Sequence, residues 1–144
     1  MVAWSITVSD SQRSIRFYEA LGFRHCGHAT QTVEPDNFMA KVLGLPKAKS
    51  RVDYMARSDT RLELMSFEDP KTFREGALKP ANRTGPNAMH FGVGDADTLA
   101  KRLVELGGTI IASADGRYAI ADPDGVRVQF SNAKPDALKQ LFGE

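Results

Sequence analysis

The strongest constraint on this chain is that its opening is restated 85 residues later. Val8 and Asp10 lead a helical pattern that closes at Leu21-Gly22, and Val93 and Asp95 lead another that closes at Leu106-Gly107, with one constant offset. The apolar residues upstream obey the same offset: Trp4, Ile6 and Val8 map onto Met89, Phe91 and Val93. One alternating strand followed by one amphipathic helix therefore occurs twice, which is the mark of a duplicated supersecondary unit.

In the first copy, alternation over 2–8 predicts a half-buried strand. Asp10 is placed to cap a helix carrying Ile15, Tyr18 and Leu21 on one side, and Gly22 suits its left-handed end. Strands are predicted over 23–31, 51–57 and 61–67, with a short inserted helix over 35–45 between Pro35 and Gly44-Leu45-Pro46. Residues 68–87 hold Pro70, Pro80, Pro86, Gly76 and Gly85. They read as a linker, partly lid-like. The second copy then predicts a strand over 88–94, a helix over 96–106, and strands over 109–112, 117–121 and 126–131. The last two join through the turn Asp122-Pro123-Asp124-Gly125. An amphipathic stretch from Asp136 to Phe142 is expected to pack outside. The modules are thus 1–67 and 88–144.

A length of 144 residues suits one domain, or two small modules sharing a core. The net charge of +1 gives no reason to expect nucleic acid. No apolar run is long enough to span a membrane, and no signal peptide is evident. Cys26 is the single cysteine and has no internal disulfide partner. A cytoplasmic protein is the expectation.

Three segments carry a family resemblance: Val8-Ser9-Asp10 through Ile15-Arg16-Phe17-Tyr18-Glu19-Ala20-Leu21-Gly22-Phe23, then Leu62-Glu63-Leu64, and Asp122-Pro123-Asp124-Gly125-Val126-Arg127-Val128-Gln129-Phe130. The chain resembles the vicinal oxygen chelate superfamily of glyoxalases, bleomycin and fosfomycin resistance proteins and extradiol dioxygenases. The resemblance implies an α+β fold. Paired βαβββ modules would form curved, open, barrel-like sheets with the helices outside, as in glyoxalases. It also implies a homodimer and, in many relatives, a divalent metal held by two residues per module. Those ligand positions fall here on Ala3, Glu63, Ala88 and Gln129. Two methyl groups and an amide replace two imidazoles and a carboxylate, a poor set for zinc, iron, nickel or manganese. The expectation is that no metal and no other cofactor is bound. His90 lies two residues beyond Ala88, so a register shift could bring it to the ligand position, but the unbroken offset pairs it with Ser5 instead.

Strand alternation lists one polar face: Ala3, Ser5, Thr7; Arg61, Glu63, Met65; Ala88, His90, Gly92; Arg127, Gln129, Ser131. Buried polar groups must be paired or wetted. Two readings stand. The face lines a pocket for a small organic molecule, or Arg61, Glu63, Arg127 and Gln129 form an internal network without a task. The small residues Ala3 and Ala88 favour the pocket. In that reading Glu63 and His90 are the catalytic acid–base pair. Arg61, Arg127, Gln129, Ser5, Ala3 and Ala88 contact substrate, and Phe38 and Met39 of the inserted helix form apolar walls. His25, Cys26 and His28 read as packing or rim residues, with Cys26 and His28 on one face of their strand and His25 on the other. Three functions remain in play: a metal-independent lyase or isomerase, a protein that sequesters a drug without turnover, and a metal-dependent enzyme reached through His90.

Overall fold

The computed structural model describes residues 3–73, 78, 80–82 and 84–132. It divides into two compact units, Met1–Glu75 and Gly76–Glu144. No described helix is long and apolar enough to cross a membrane.

The first unit runs β1 (Ala3–Thr7), α1 (Ser11–Ala20), β2 (Arg24–Val33), α2 (Phe38–Leu43), β3 (Ala48–Arg57) and β4 (Thr60–Asp69). Its sheet has the order β1-β4-β3-β2, with β1 parallel to β4 and the other pairs antiparallel. Strands β3 and β4 join through a short turn, whereas β2 and β3 are linked through α2. The Asp10 carboxylate caps α1, accepting from the Arg13 amide at 2.9 Å. Ile15, Phe17 and Tyr18 of α1 are buried with Leu62 and Leu64 of β4 and Met55 of β3. Tyr18 meets Phe17 and Phe23 edge-on.

The second unit repeats the plan as β5 (Met89–Gly92), α3 (Ala96–Glu105), β6 (Thr109–Ala114), β7 (Arg117–Ala121) and β8 (Arg127–Ser131), in the order β5-β8-β7-β6. Asp95 caps α3 as Asp10 caps α1. Leu103, Ile120, Val128 and Phe130 form the buried side. Asp122 is buried in the β7–β8 turn and its Oδ1 accepts from the amides of Asp124 and Val126. The expected Asp-Pro-Asp-Gly hairpin is therefore an Asx-type turn.

Several boundaries differ from the sequence reading. The inserted helix starts at Phe38 rather than near Pro35, because Asn37 is its cap, accepting from the Ala40 amide at 2.7 Å. Strand β4 runs on to Asp69, into the expected linker. Trp4, one of the apolar residues of the strand expected over 2–8, is 56% exposed. It sits on the edge strand β1, whereas α1 packs across β4, β3 and β2. The stretch Asp136–Phe142 lies outside the described residues.

Candidate functional site

In the first unit, Leu62 and Leu64 turn toward α1, so Arg61, Glu63 and Met65 occupy the opposite face. Strand register fixes what stands beside them. Ser5 on β1 and Tyr54 on β3 flank Glu63, with Gly27 on β2 completing the row. The Ser5 hydroxyl donates to Glu63 Oε2. The neighbouring row is Ala3, Arg61, Ala56 and Arg24. Arg61 does not pair with Glu63. Its guanidinium donates to the carbonyls of Ser58 and Thr60 at 2.7 and 3.0 Å, holding the β3–β4 turn. The internal network that would have joined Arg61 to Glu63 is thus not formed.

In the second unit, Val128 and Phe130 are buried, which places Arg127, Gln129 and Ser131 on the other face. His90 stands directly beside Gln129, with Ala119 and Ala112 across the row. This row repeats Ser5–Glu63–Tyr54, as the offset pairing His90 with Ser5 requires. The Arg127 guanidinium donates to Asn87 Oδ1. Ala88 is half-buried and precedes β5. The expected apolar walls separate: Met39 packs in a cluster around Ala40, while Phe38 is 77% exposed.

Tyr54 was missed by the sequence reading, although alternation over 51–57 places it on the face of Glu63. The His25, Cys26 and His28 cluster is also corrected. A bulge between His25 and Gly27 absorbs Cys26, so His25 pairs with Met55 and His28 with Asp53, and both share the face of α1. Asp53 is fully buried there. It accepts from Arg51 Nε and Nη2 at 2.8 Å each and from His25 Nε2 at 2.9 Å. Burial works to raise its carboxyl, but the hydrogen bonds and charges of Arg51 and His25 outweigh it and hold it below the ordinary carboxylate value.

The profile of the Glyoxalase/Bleomycin resistance protein/Dioxygenase superfamily matches residues 2–130. The chain belongs to this superfamily. Among solved structures, a glyoxalase family protein from Bacillus cereus is 24% identical, with a TM-score of 0.75 over 91% of each chain. The trypanothione-dependent glyoxalase I of Leishmania major is 22% identical, with a TM-score of 0.66 over 99% of this chain and 93% of that one. The fosfomycin resistance protein FosX of Mesorhizobium loti is 15% identical, with a TM-score of 0.57 over 97% and 96%. These likenesses speak to the fold. No curated protein sequence matches the chain.

The superfamily implies a divalent metal, and the donors on these strands do not fit one. At the four ligand positions only Glu63 carries charge, and its Oε2 is already engaged by Ser5. Among the described residues, no group of three or more His, Cys, Asp or Glu side chains is placed to hold a metal ion.

Proposed function

We propose that this superfamily member is a lyase or isomerase acting on a small organic molecule, with Glu63 rather than a metal carrying the proton chemistry. The observation behind this reading is the Ser5–Glu63–Tyr54 row, a carboxylate that accepts from one hydroxyl and has a tyrosine beside it in register, next to a methyl group where relatives place an imidazole.

In this proposal Ser5 engages Oε2 and fixes the carboxylate plane, leaving Oε1 to take a proton from a carbon next to a carbonyl. The Tyr54 hydroxyl is assigned to the developing oxyanion. In the second unit, taken by itself, His90, beside Gln129, is assigned as an acid–base group and Arg127 as an anion-binding group. The proton leaves with the carboxylic acid and returns to the product, so no oxidant or metal is consumed.

Mass spectrometry of material co-purified with the protein identifies candidate substrates. Incubation of these, and of a panel of small 2-oxo acids, in deuterated water then tests the chemistry. Deuterium should appear at one carbon with wild-type protein, and incorporation should fall at least 100-fold in Glu63→Gln. Tight binding without exchange, unchanged in Glu63→Gln, would instead identify a sequestering protein and overturn the proposal.

A further inference from the structure

The face that carries Glu63 holds a second polar row that proton chemistry does not use. Four residues along β3 from Tyr54, about 13 Å away, lies Ser50, flanked in register by Gln31 on β2 and Phe67 on β4. Ser50 is fully buried. Its Oγ and the Oε1 of Gln31 have no hydrogen-bond partner and no access to solvent. Buried polar atoms are nearly always satisfied, so two unsatisfied atoms on paired residues of one row call for a missing group. The row between them and Glu63 is apolar, with Ala29, Val52 and Met65.

Among the described residues, α2 stands over this end of the face. The next row, Val33 and Ala48, packs with Ala40 of α2, and Phe67 joins the same cluster with Met39 and Leu43. The hold is slight. Ala40 is the one buried residue of the six in α2, and Val42 remains 57% exposed on it. Left-handed residues bracket the helix, Asp36 at φ 67° and Gly44 at φ 64°.

We infer that Gln31 and Ser50 form a closed recognition subsite for the hydroxyl or primary amide of a mostly apolar ligand, opened when α2 lifts. A hydroxyl or amide can donate to Gln31 Oε1 and pair with Ser50 Oγ at once, which a hydrocarbon cannot. Its apolar body would lie over Val52 and Met65 and against α2. The subsite goes beyond the Glu63 proposal and does not depend on it.

The test uses benzamide and benzyl alcohol as probes and ethylbenzene as the isostere without a donor, titrated into the full chain and followed by protein NMR. Both polar probes should bind at least tenfold more tightly than ethylbenzene and shift the Gln31 side-chain NH2 and the amides of 38–43. Ser50→Ala should keep the native spectrum and erase the tenfold preference, whereas Glu63→Gln should keep it. Equal affinity for all three probes, or a preference that survives in Ser50→Ala with Gln31→Leu as a second variant, would overturn the inference.

Discussion

Ser5 and Glu63 stand side by side on parallel strands, and the Ser5 hydroxyl donates to the Glu63 carboxylate. The same position in the second unit pairs His90 with Gln129. The duplication has therefore kept the geometry of the row while dividing its chemistry. One copy offers a carboxylate with a hydroxyl, the other an imidazole with an amide.

The donor set sets an expectation for metal content. Protein purified without chelator should hold less than about one-tenth of a zinc, iron, nickel or manganese ion per chain by elemental analysis, since the four ligand positions offer one carboxylate and no imidazole. Activity in the deuterium-exchange assay should survive prolonged treatment with EDTA. One tightly held ion per chain, lost together with activity, would remove the metal-independent reading.

Asp53 gives a prediction about acid stability. Its carboxyl titrates below the ordinary value when folded, so the stability it supplies is complete above the unfolded value of about 3.9 and fades as pH falls through the folded one. Asp53→Asn should cost about 1–3 kcal/mol at pH 7, because Arg51 and His25 lose the charge and one of the two oxygens that accept from them. The side chains of Arg51 and His25 are 30% and 28% exposed, and water then solvates them in part. Urea midpoints for both proteins at pH 7 and pH 3 provide the check: the gap between them should narrow in acid.

The caps of the two long helices should behave as duplicates. Asp10 accepts from the Arg13 amide and Asp95 from the Thr98 amide, at 2.9 and 3.0 Å. Asp10→Ala and Asp95→Ala should each cost about 1 kcal/mol in denaturant unfolding. Asp95 also accepts from the Thr98 hydroxyl at 2.7 Å, so its loss should be the larger of the two.

The chain is expected to form a homodimer. Strand β6 is an edge strand without a charged residue, and Ile110 on it and Val104 on α3 are 47% and 44% exposed. Uncharged edges and apolar flanks of this kind are commonly covered by another chain. Light scattering at micromolar concentration should give about twice the chain mass of 15.8 kDa, and Ile110→Lys should lower it. A monomer at that concentration would refute the expectation.

The sequence made the repeat legible because alternation and capping are local. Asp10, Asp95 and the Leu62-Glu63-Leu64 triplet announce their own positions, and the residues sharing a face with Glu63 follow from counting by twos. What escaped depends on register between strands. Tyr54 became a neighbour of Glu63 only once β3 was aligned against β4. Cys26 was misplaced because a bulge resets the count, and nothing in His-Cys-Gly-His announces one. Gln31 looked like an ordinary strand residue and Ser50 fell just before the expected strand over 51–57; an unsatisfied polar atom can be recognised only from what surrounds it. The exposure of Trp4 likewise reflects where α1 lies over the sheet, which periodicity does not encode.

The last prediction separates a filled core from an open surface at the two positions where relatives carry imidazoles. Ala3 is exposed on β1 beside Arg61, and Ala88 is half-buried just before β5. Ala88→Leu adds three carbons on the side of His90. In a packed interior such overfilling costs about 1–3 kcal/mol. At a half-open position the added group has solvent to occupy, so the urea midpoint should fall by less than about 0.5 kcal/mol equivalent, the usual range for surface changes. Ala3→Leu, at the more exposed position, should cost no more. Both variants should nevertheless lose at least tenfold in turnover or affinity for the co-purified molecule, because they narrow the space a substrate needs. Paired unfolding and binding measurements decide the matter: a large loss of stability would mean that these methyl groups face a core, and their assignment to a binding surface would fall.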